Sequence, residues 1–246
     1  MFKAVIFDIG RTLAGYRKPL NWSALYRPAL EHACKVCEIS FSEREYRWAE
    51  SVLTRYNTRV NPREHEVSSQ QIFSEILGGT GVGTDVLEPM KHAFYTFFRQ
   101  DAAVYPEAEE TLRQLNRHGI TLATLSDVPY GMDNAYVLDD IAPLLPYIRW
   151  PMTSNDVGCR KPRIDGVLLL AELMGVKPGE MLFVGDEEKD MLCARKAGAC
   201  PVLINRERIS RQFGQAKEIS SLRELEGLFE IPGHSGCYAG EPAGRE

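Results

Sequence analysis

Four short segments of the sequence carry side chains that are suited to phosphoryl chemistry. FDIGRTL supplies Asp8, TLATLSD supplies Ser126, GCRKP supplies Lys161, and FVGDEEKD supplies Asp186 and Asp190. Carboxylates serve as nucleophiles and as hard ligands for Mg²⁺, and a lysine offsets the negative charge of a phosphoryl group. Each segment alone has a plain structural explanation, because Ser and Asp at strand ends commonly cap the next helix. Only their combination points to chemistry.

The elements around these residues predict where they meet. Buried strands are predicted from five short apolar runs, at 3–8, 120–126, 147–152, 181–185 and 201–205. Helical patterns lie between and after the later runs, at 107–117, 131–142, 165–174, 188–197 and 220–229. Strands that alternate with helices indicate a parallel sheet covered on both faces. Ligands of such sheets gather at the carboxyl ends of the strands, so we expect Asp8, Ser126 and Asp186 in one crevice.

Residues 15–100 interrupt this alternation. They contain four helical patterns and no convincing strand, at roughly 21–37, 42–57, 68–78 and 85–100, with breaks at NPREHE and GGTGVGT. We therefore expect an all-helical insertion between the first and second strands. Residues 231–246, IPGHSGCYAGEPAGRE from Ile231 onward, are rich in glycine and proline and predict a disordered tail.

Composition narrows the class of protein. The chain has 246 residues, 44% hydrophobic and 26% charged, which is typical of a globular protein large enough for one domain with an insertion. The net charge of -5 gives no basic field, which argues against a nucleic-acid partner. There is no apolar run of membrane-spanning length and no signal-peptide pattern, so we expect no membrane partner and a cytoplasmic location. The oligomeric state is left open.

The six cysteines are scattered, which favours reduced thiols over a disulfide framework. Cys34 and Cys37 form a CxxC, but neither a second CxxC nor a nearby histidine pair completes a zinc site. We interpret them as two thiols on a helix.

The order and spacing of Asp8, Ser126, Lys161 and the Asp186/Asp190 pair resemble the haloacid dehalogenase-like hydrolase superfamily. The resemblance extends over roughly residues 1–230 and includes a helical cap inserted after the first strand. It implies a Rossmann-like core at 1–14 and 101–230 and a cap at 15–100. It is specific for the fold and much less so for the substrate.

The resemblance also implies roles for individual residues. Asp8 would attack phosphorus and form an aspartyl-phosphate, and Asp8, Asp186 and the carbonyl of Gly10 would hold Mg²⁺. Ser126 and Lys161 would contact the phosphoryl group, and Asp190 would orient Lys161 or support the metal. Further substrate contacts would come from two more residues, Thr12 and Asp127. The implied function is a Mg²⁺-dependent phosphatase acting on a small phosphorylated metabolite.

The sequence departs from the family at Gly10. The usual first motif is DxDx[TV], whose second acid protonates the leaving group and later activates water, a contribution of typically ~10²–10⁴-fold. Glycine leaves three possibilities open. The substrate could have a good leaving group, as a sugar 1-phosphate or an acyl phosphate does. Another group could serve as the acid and base. Turnover could instead be weak. The candidates for another group are Asp127, Glu187, Glu188 and a cap residue.

Three alternatives to a phosphatase remain. Dehalogenases of the superfamily need no metal and typically carry an aromatic residue at position 10, and the GDxxxD pattern at 185–190 argues against them. Phosphonatases have a small residue there but use a cap lysine, for which Lys18, Lys35 and Lys91 are available. The third alternative is a weakly active or non-catalytic member that binds a phosphorylated ligand or a protein partner.

Overall fold

The computed structural model describes residues 1–16, 21–99 and 102–229. Strands in this part of the chain are β1 Ala4–Phe7, β2 Ala14–Tyr16, β3 Ala102–Val104, β4 Thr121–Ser126, β5 Trp150–Thr153, β6 Met181–Gly185, β7 Cys200–Ile204 and β8 Lys217–Ile219. Six of them form a parallel sheet in the order β5-β4-β1-β6-β7-β8. This sheet confirms the predicted α/β class with a Rossmann-like core.

Helices cover both faces of the sheet, and several of them lie in the chain between β1 and β4, the first two strands of this sheet. The α-helices are α1 Tyr26–Val36, α2 Glu43–Tyr56, α3 Ser69–Gly78, α4 Leu87–Arg99, α5 Ala108–Arg117, α6 Asn134–Asp139, α7 Ser154–Val157, α8 Asp165–Met174, α9 Glu188–Ala197 and α10 Glu226–Phe229. Short 3₁₀ helices occur at Ser23–Leu25, Thr84–Val86, Pro129–Gly131, Ala142–Tyr147, Pro178–Glu180 and Leu222–Leu225.

Burial on both faces explains why the strands are apolar throughout. In β1, Val5 and Phe7 face one apolar cluster, whereas Ala4 and Ile6 face the other. All four are fully buried, so no polar residue alternates with them. Strand β1 ends at Phe7, and Asp8 follows it at the carboxyl edge of the sheet.

The helices α1 to α4 pack together through buried apolar residues, which are continuous with the apolar cluster on one face of the sheet. Helix α2 begins at Glu43 because Ser42 and Glu45 form a reciprocal capping box. Fully buried Leu30, Leu53 and Phe94 come from three different helices of this group. The helical insertion predicted for 15–100 is therefore helical over most of its length.

One expectation for this insertion is wrong, because β2 lies at its start. Ala14–Tyr16 pairs antiparallel with Ala102–Val104, so a two-stranded ribbon joins the two ends of the helical segment. Neither three-residue strand has a readable alternation, and each depends on a partner more than 80 residues away. The edge strand β8 was also missed, because its three residues are too few for a readable alternation.

The helical segment is attached to the rest of the protein by the 3₁₀ turn Pro129–Gly131. The hydroxyl of Tyr95 donates to the carbonyl of Tyr130 over 2.8 Å. Gly131 has φ +65°, and a side chain there would collide with the backbone of Val67 and Ser68. Only glycine lets this turn approach α3 so closely.

No helix in the described ranges is long and apolar enough to cross a membrane. Cys34 and Cys37 are free thiols, and burial raises the pKa of each. The predicted tail at 231–246 and the candidate lysine Lys18 lie outside the described residues.

Candidate active site

Asp8 lies at the carboxyl end of β1, between the ends of β4 and β6. Its backbone N–H donates to the carbonyl of Val184 over 2.9 Å, which extends the sheet pairing to the aspartate itself. Its side chain reaches the ammonium of Lys161, whose Nζ lies 2.6 Å from Oδ1. Burial raises the pKa of Asp8 to about 6, against the opposing charge of Lys161.

Lys161 is the buried cation at the centre of the site, with 1% of its side chain exposed. Besides Asp8, its Nζ contacts Asp190 at 2.7 Å and donates to the carbonyl of Leu125 at 3.1 Å. Burial alone would lower its pKa, but Asp190 and Asp8 hold it well above the ordinary value. Lys161 is therefore charged, and Asp190, which is itself fully buried, fixes its position.

Asp8, Asp186 and Asp190 form an acidic cluster with oxygen atoms within 4.8 Å of one another. Burial, with repulsion from Asp8 and Asp190, raises the pKa of Asp186 to about 8. The buried Lys161 and the half-exposed Arg11 do not balance three carboxylates, and a hard divalent cation would relieve the remaining repulsion. The donor set therefore fits a metal ion that prefers oxygen ligands.

The loop after β1 turns sharply at Gly10 and Arg11. Arg11 has φ +55°, and its Nε lies 3.3 Å from Asp186 Oδ2 while its Nη2 donates to Glu207 at 2.8 Å. Arg206 holds the turn by donating to the carbonyls of Arg11 and Thr12 at 3.2 and 2.8 Å. The Thr12 side chain is fully buried and does not line the cavity, so the structure does not bring it to the position expected of a substrate contact.

Ser126 and Asp127 follow β4 and line the same cavity. Asp127 accepts the backbone N–H of Lys161 at 3.0 Å and lies 3.0 Å from Lys189 Nζ. Burial opposes ionisation of Asp127, but the charges of Lys161 and Lys189 outweigh it and lower its pKa.

Glu187 is a second candidate for the missing acid, and it is also ion-paired. It lies 2.8 Å from Lys189 and 2.9 Å from Arg59 of the helical segment. Burial raises its pKa, but these cations dominate and bring it to about 2. Asp127 and Glu187 are thus carboxylates without a proton to donate at neutral pH.

The cavity at the site measures about 1310 Å³ and is lined by both parts of the molecule. The sheet edge contributes Asp8, Ser126, Lys161 and Asp186, together with Gly10. The helical segment contributes a wall from the loop after α2, which includes the residues Asn57, Arg59, Pro62, Arg63 and Glu64.

Among the described residues, two of the lysines considered for a phosphonatase, Lys35 and Lys91, lie away from this cavity. Lys91 pairs with Glu88 at 3.1 Å and with Asp133 at 3.3 Å, and Lys35 is exposed on α1. Neither lines the cavity. Burial would lower the pKa of Lys91, but its two carboxylate partners raise it, which is the reverse of what a Schiff-base lysine needs.

Comparison with known protein families identifies the class to which this fold and this acidic cluster belong. The model of the haloacid dehalogenase-like hydrolase family matches residues 2–198, most of the chain. The protein therefore belongs to this family.

Among its curated relatives is phosphoglycolate phosphatase 1 of Pseudomonas aeruginosa, 30% identical over 152 residues, which are 59% of this chain and 55% of the relative. Phosphoglycolate phosphatase of Escherichia coli K12 is 35% identical over 104 residues, which are 40% of this chain and 38% of that protein. The chain thus matches about half the length of these relatives, or less.

Solved structures similar to this one include two with different names. A HAD phosphatase from Thermococcus onnurineus is 25% identical with a TM-score of 0.61, covering 93% of this chain and 98% of that chain. A 2-haloacid dehalogenase from Pseudomonas syringae has a TM-score of 0.65 at 18% identity, with the same coverage of both chains. The latter likeness shows the fold alone.

Sequence reasoning missed several charged residues of the cavity. Arg160 stands directly before Lys161, and Lys189 stands within the acidic motif, so their neighbours were the available signal. Arg63 comes from the helical segment and reaches the site through a β-bridge between His65 and Cys159. Nothing in its local sequence indicates that pairing.

Proposed function

We propose that the protein is a Mg²⁺-dependent phosphatase that hydrolyses a small phosphorylated metabolite through Asp8. One observation carries the proposal: a buried, charged Lys161 lies 2.6 Å from Asp8 beside two further buried carboxylates. This arrangement supplies a nucleophile, a fixed positive charge and metal ligands in one place. The names of the curated relatives, phosphoglycolate phosphatases, support a phosphate ester as substrate.

In the proposed reaction an Asp8 carboxylate oxygen attacks phosphorus, and the bond from phosphorus to the leaving oxygen breaks with its electron pair on that oxygen. Water then attacks phosphorus, breaks the bond to Asp8 and releases inorganic phosphate. Lys161 and Ser126 stabilise the phosphoryl oxygens, and Asp190 keeps Lys161 in place. The ligands of Mg²⁺ would be Asp8, Asp186 and the Gly10 carbonyl. When bound, the ion would neutralise charge between carboxylates and phosphoryl oxygens.

Gly10 has no carboxyl group that could protonate the leaving group, which restricts the substrates that the protein could hydrolyse. Asp127 and Glu187 are held as carboxylates by Lys189 and other cations, so neither is suited to protonate a leaving group. We propose that the preferred substrates have leaving groups that need little protonation, such as acyl phosphates or sugar 1-phosphates.

We also propose that residues 15–100 act as a cap on a core made of residues 1–14 and 101–230. The loop after α2 supports this division, because it supplies one wall of the cavity while the sheet edge supplies the other. A cap in this place would exclude water from the reacting phosphoryl group.

A panel of phosphate monoesters and acyl phosphates, assayed with and without Mg²⁺, tests the proposed function. We expect Mg²⁺-dependent release of phosphate by the wild type and none by Asp8→Asn, whose amide is nearly isosteric but a poor nucleophile. Arg47→Ala, an exposed residue of α2 outside the cavity, is the control for preparation and folding. Release of halide from 2-haloacids without metal would instead indicate a dehalogenase.

A further inference from the structure

Arg63 is a buried cation on the cavity wall with few partners. Its side chain is 9% exposed, and it lines the same cavity as Asp8 and Lys161. Its Nη1 donates to the carbonyl of Tyr56 at 2.6 Å, and its Nη2 lies 3.5 Å from Glu66. Its buried Nε has no hydrogen-bond partner among the residues that the structure describes. A guanidinium has five N–H donors, so the described residues use less than half of this capacity.

Glu66 compensates Arg63 only in part, because its carboxylate also binds other groups at shorter distances. Its Oε2 accepts from Arg160 at 2.5 Å and from the Ser154 hydroxyl at 2.5 Å. Its Oε1 accepts the Val67 N–H at 2.9 Å. Two buried guanidinium groups therefore share one carboxylate.

The only other carboxylate recorded near Arg160 in the described part of the chain is Asp127, at 3.9 Å. That oxygen is closer to Lys189, at 3.0 Å. Burial and the neighbouring Arg160 together lower the pKa of Arg63, as expected for a cation without sufficient opposite charge. Keeping such a charge buried is costly unless an anion joins it.

Other arginines of the cavity differ from Arg63 in being paired with carboxylates at short distance. Arg59 lies 2.9 Å from Glu187, Arg11 lies 2.8 Å from Glu207, and Arg206 lies 2.6 Å from Glu107. Within the described ranges, the unmet positive charge therefore belongs to Arg63 and Arg160 together, because these two guanidinium groups share the single carboxylate of Glu66.

We infer that Arg63, supported by Arg160, binds a second anionic group of the substrate while Asp8 and Lys161 engage its phosphoryl group. The inference rests on the proposed function and names its substrate class: phosphate monoesters that carry a carboxylate or a second phosphate. The fork of a guanidinium matches either group through two parallel hydrogen bonds.

Binding to the Asp8→Asn protein tests this site without turnover. Calorimetry in the presence of Mg²⁺ would compare phosphoglycolate with its carboxamide, and ethanediol bisphosphate with 2-hydroxyethyl phosphate. The first pair probes a carboxylate and the second a phosphate. We expect the member that carries a second anionic group to bind about tenfold or more tightly in at least one pair, as a charged hydrogen-bonded pair allows.

The variant Arg63→Gln, made in the same background, should remove this preference, and should change binding of the member that lacks the second anionic group by no more than about twofold. Arg63→Lys should keep part of the preference, because it keeps the charge and loses the fork. Arg55→Gln is the matched control: Arg55 is a cap arginine that pairs with Glu75 at 2.5 Å and does not line the cavity.

Equal binding within both pairs, or equal weakening of all four ligands by Arg63→Gln, would overturn the second anion site. A different result would overturn the proposed function alone: the wild type hydrolyses no phosphorylated substrate, while the Asp8→Asn protein still discriminates between the ligands. Hydrolysis by the wild type without any preference for a second anion would overturn the site and leave the phosphatase standing.

Discussion

Arg11 Nε lies 3.3 Å from Asp186 Oδ2, and Arg11 reaches this position from a left-handed backbone conformation with φ +55°. That conformation costs a non-glycine residue of order 1–2 kcal/mol. The guanidinium also donates to Glu207, so the strained turn holds a positive charge at the edge of the acidic cluster. Arg11 therefore competes with any cation for Asp186.

Removing Arg11 should tighten metal binding. We expect Arg11→Gly to lower the Mg²⁺ dissociation constant by a factor of about 1.5 to 5, because a half-exposed ion pair is worth about 0.2–1 kcal/mol. Arg208→Gly is the matched control, since Arg208 has φ +53° and donates to Ser220, outside the cavity. Titration of both variants by calorimetry would measure the change, and a shift of the same size in Arg208→Gly would assign the effect to the backbone.

The pKa of Asp186 gives a pH dependence of stability with a defined sign. Its value rises from 3.8 to about 8 on folding, so the folded state binds this proton more tightly than the unfolded state does. The metal-free protein should therefore lose stability as the pH rises through this interval. Mg²⁺ binds the ionised carboxylates, so its stabilising effect should be larger at pH 8 than at pH 5.

Thermal unfolding at both pH values, with and without Mg²⁺, would measure this dependence. Asp186→Asn removes the titrating group and should flatten the pH dependence of the metal-free protein. A stabilisation by Mg²⁺ that is as large at pH 5 as at pH 8 would argue against a metal site at these carboxylates.

Gly10 has room for the acid that the family usually carries there. A Cβ at this position would lie 3.9 Å from Asp8 Oδ2, with no closer neighbour, and the φ of Gly10 is outside the left-handed region. Gly10→Asp should raise kcat/KM for primary-alcohol phosphates by about tenfold or more, and change it little for p-nitrophenyl phosphate. An equal effect on both leaving-group classes would mean that position 10 does not govern proton transfer.

Glu66 connects the helical segment to the sheet edge through a buried ion pair. Glu66→Gln would leave Arg160 without its carboxylate, and breaking a buried pair in this way costs about 3–5 kcal/mol. Glu43→Gln, at an exposed pair with Arg27, should cost no more than about 1 kcal/mol. Urea denaturation of both variants would measure the costs, and similar values for the two would show that Glu66 contributes no more than a surface charge.

The fold was predictable wherever an element is defined by its own residues. Helices 165–174 and 188–197 have the predicted bounds, because Gly175 and Gly198 follow them in the left-handed conformation that ends a helix. The strand at 181–185 was equally clear from its apolar run. Strands β2, β3 and β8 have three residues each and are defined by their partners, so local sequence could not reveal them.

The candidate site also contains residues that could be predicted from the sequence and residues that could not. Asp8, Ser126 and Asp186 follow predicted strands, and a parallel sheet brings such positions together. Arg63 depends on the bridge between His65 and Cys159, which joins residues 94 positions apart. The ion pairs of Asp127 and Glu187 with Lys189 could not be anticipated either, and they are what makes both carboxylates poor proton donors.

Capture of a phosphoryl group on Asp8 tests the proposed reaction most directly. Because Gly10 has no carboxylate to activate water, the acyl phosphate on Asp8 should break down slowly and accumulate during turnover. We expect acid quenching with the best substrate and Mg²⁺, followed by peptide mass spectrometry, to locate phosphorus on Asp8 in the wild type. The Asp8→Asn protein should carry none. Phosphate release at the wild-type rate by Asp8→Asn, or phosphorus on another residue, would contradict a reaction through Asp8.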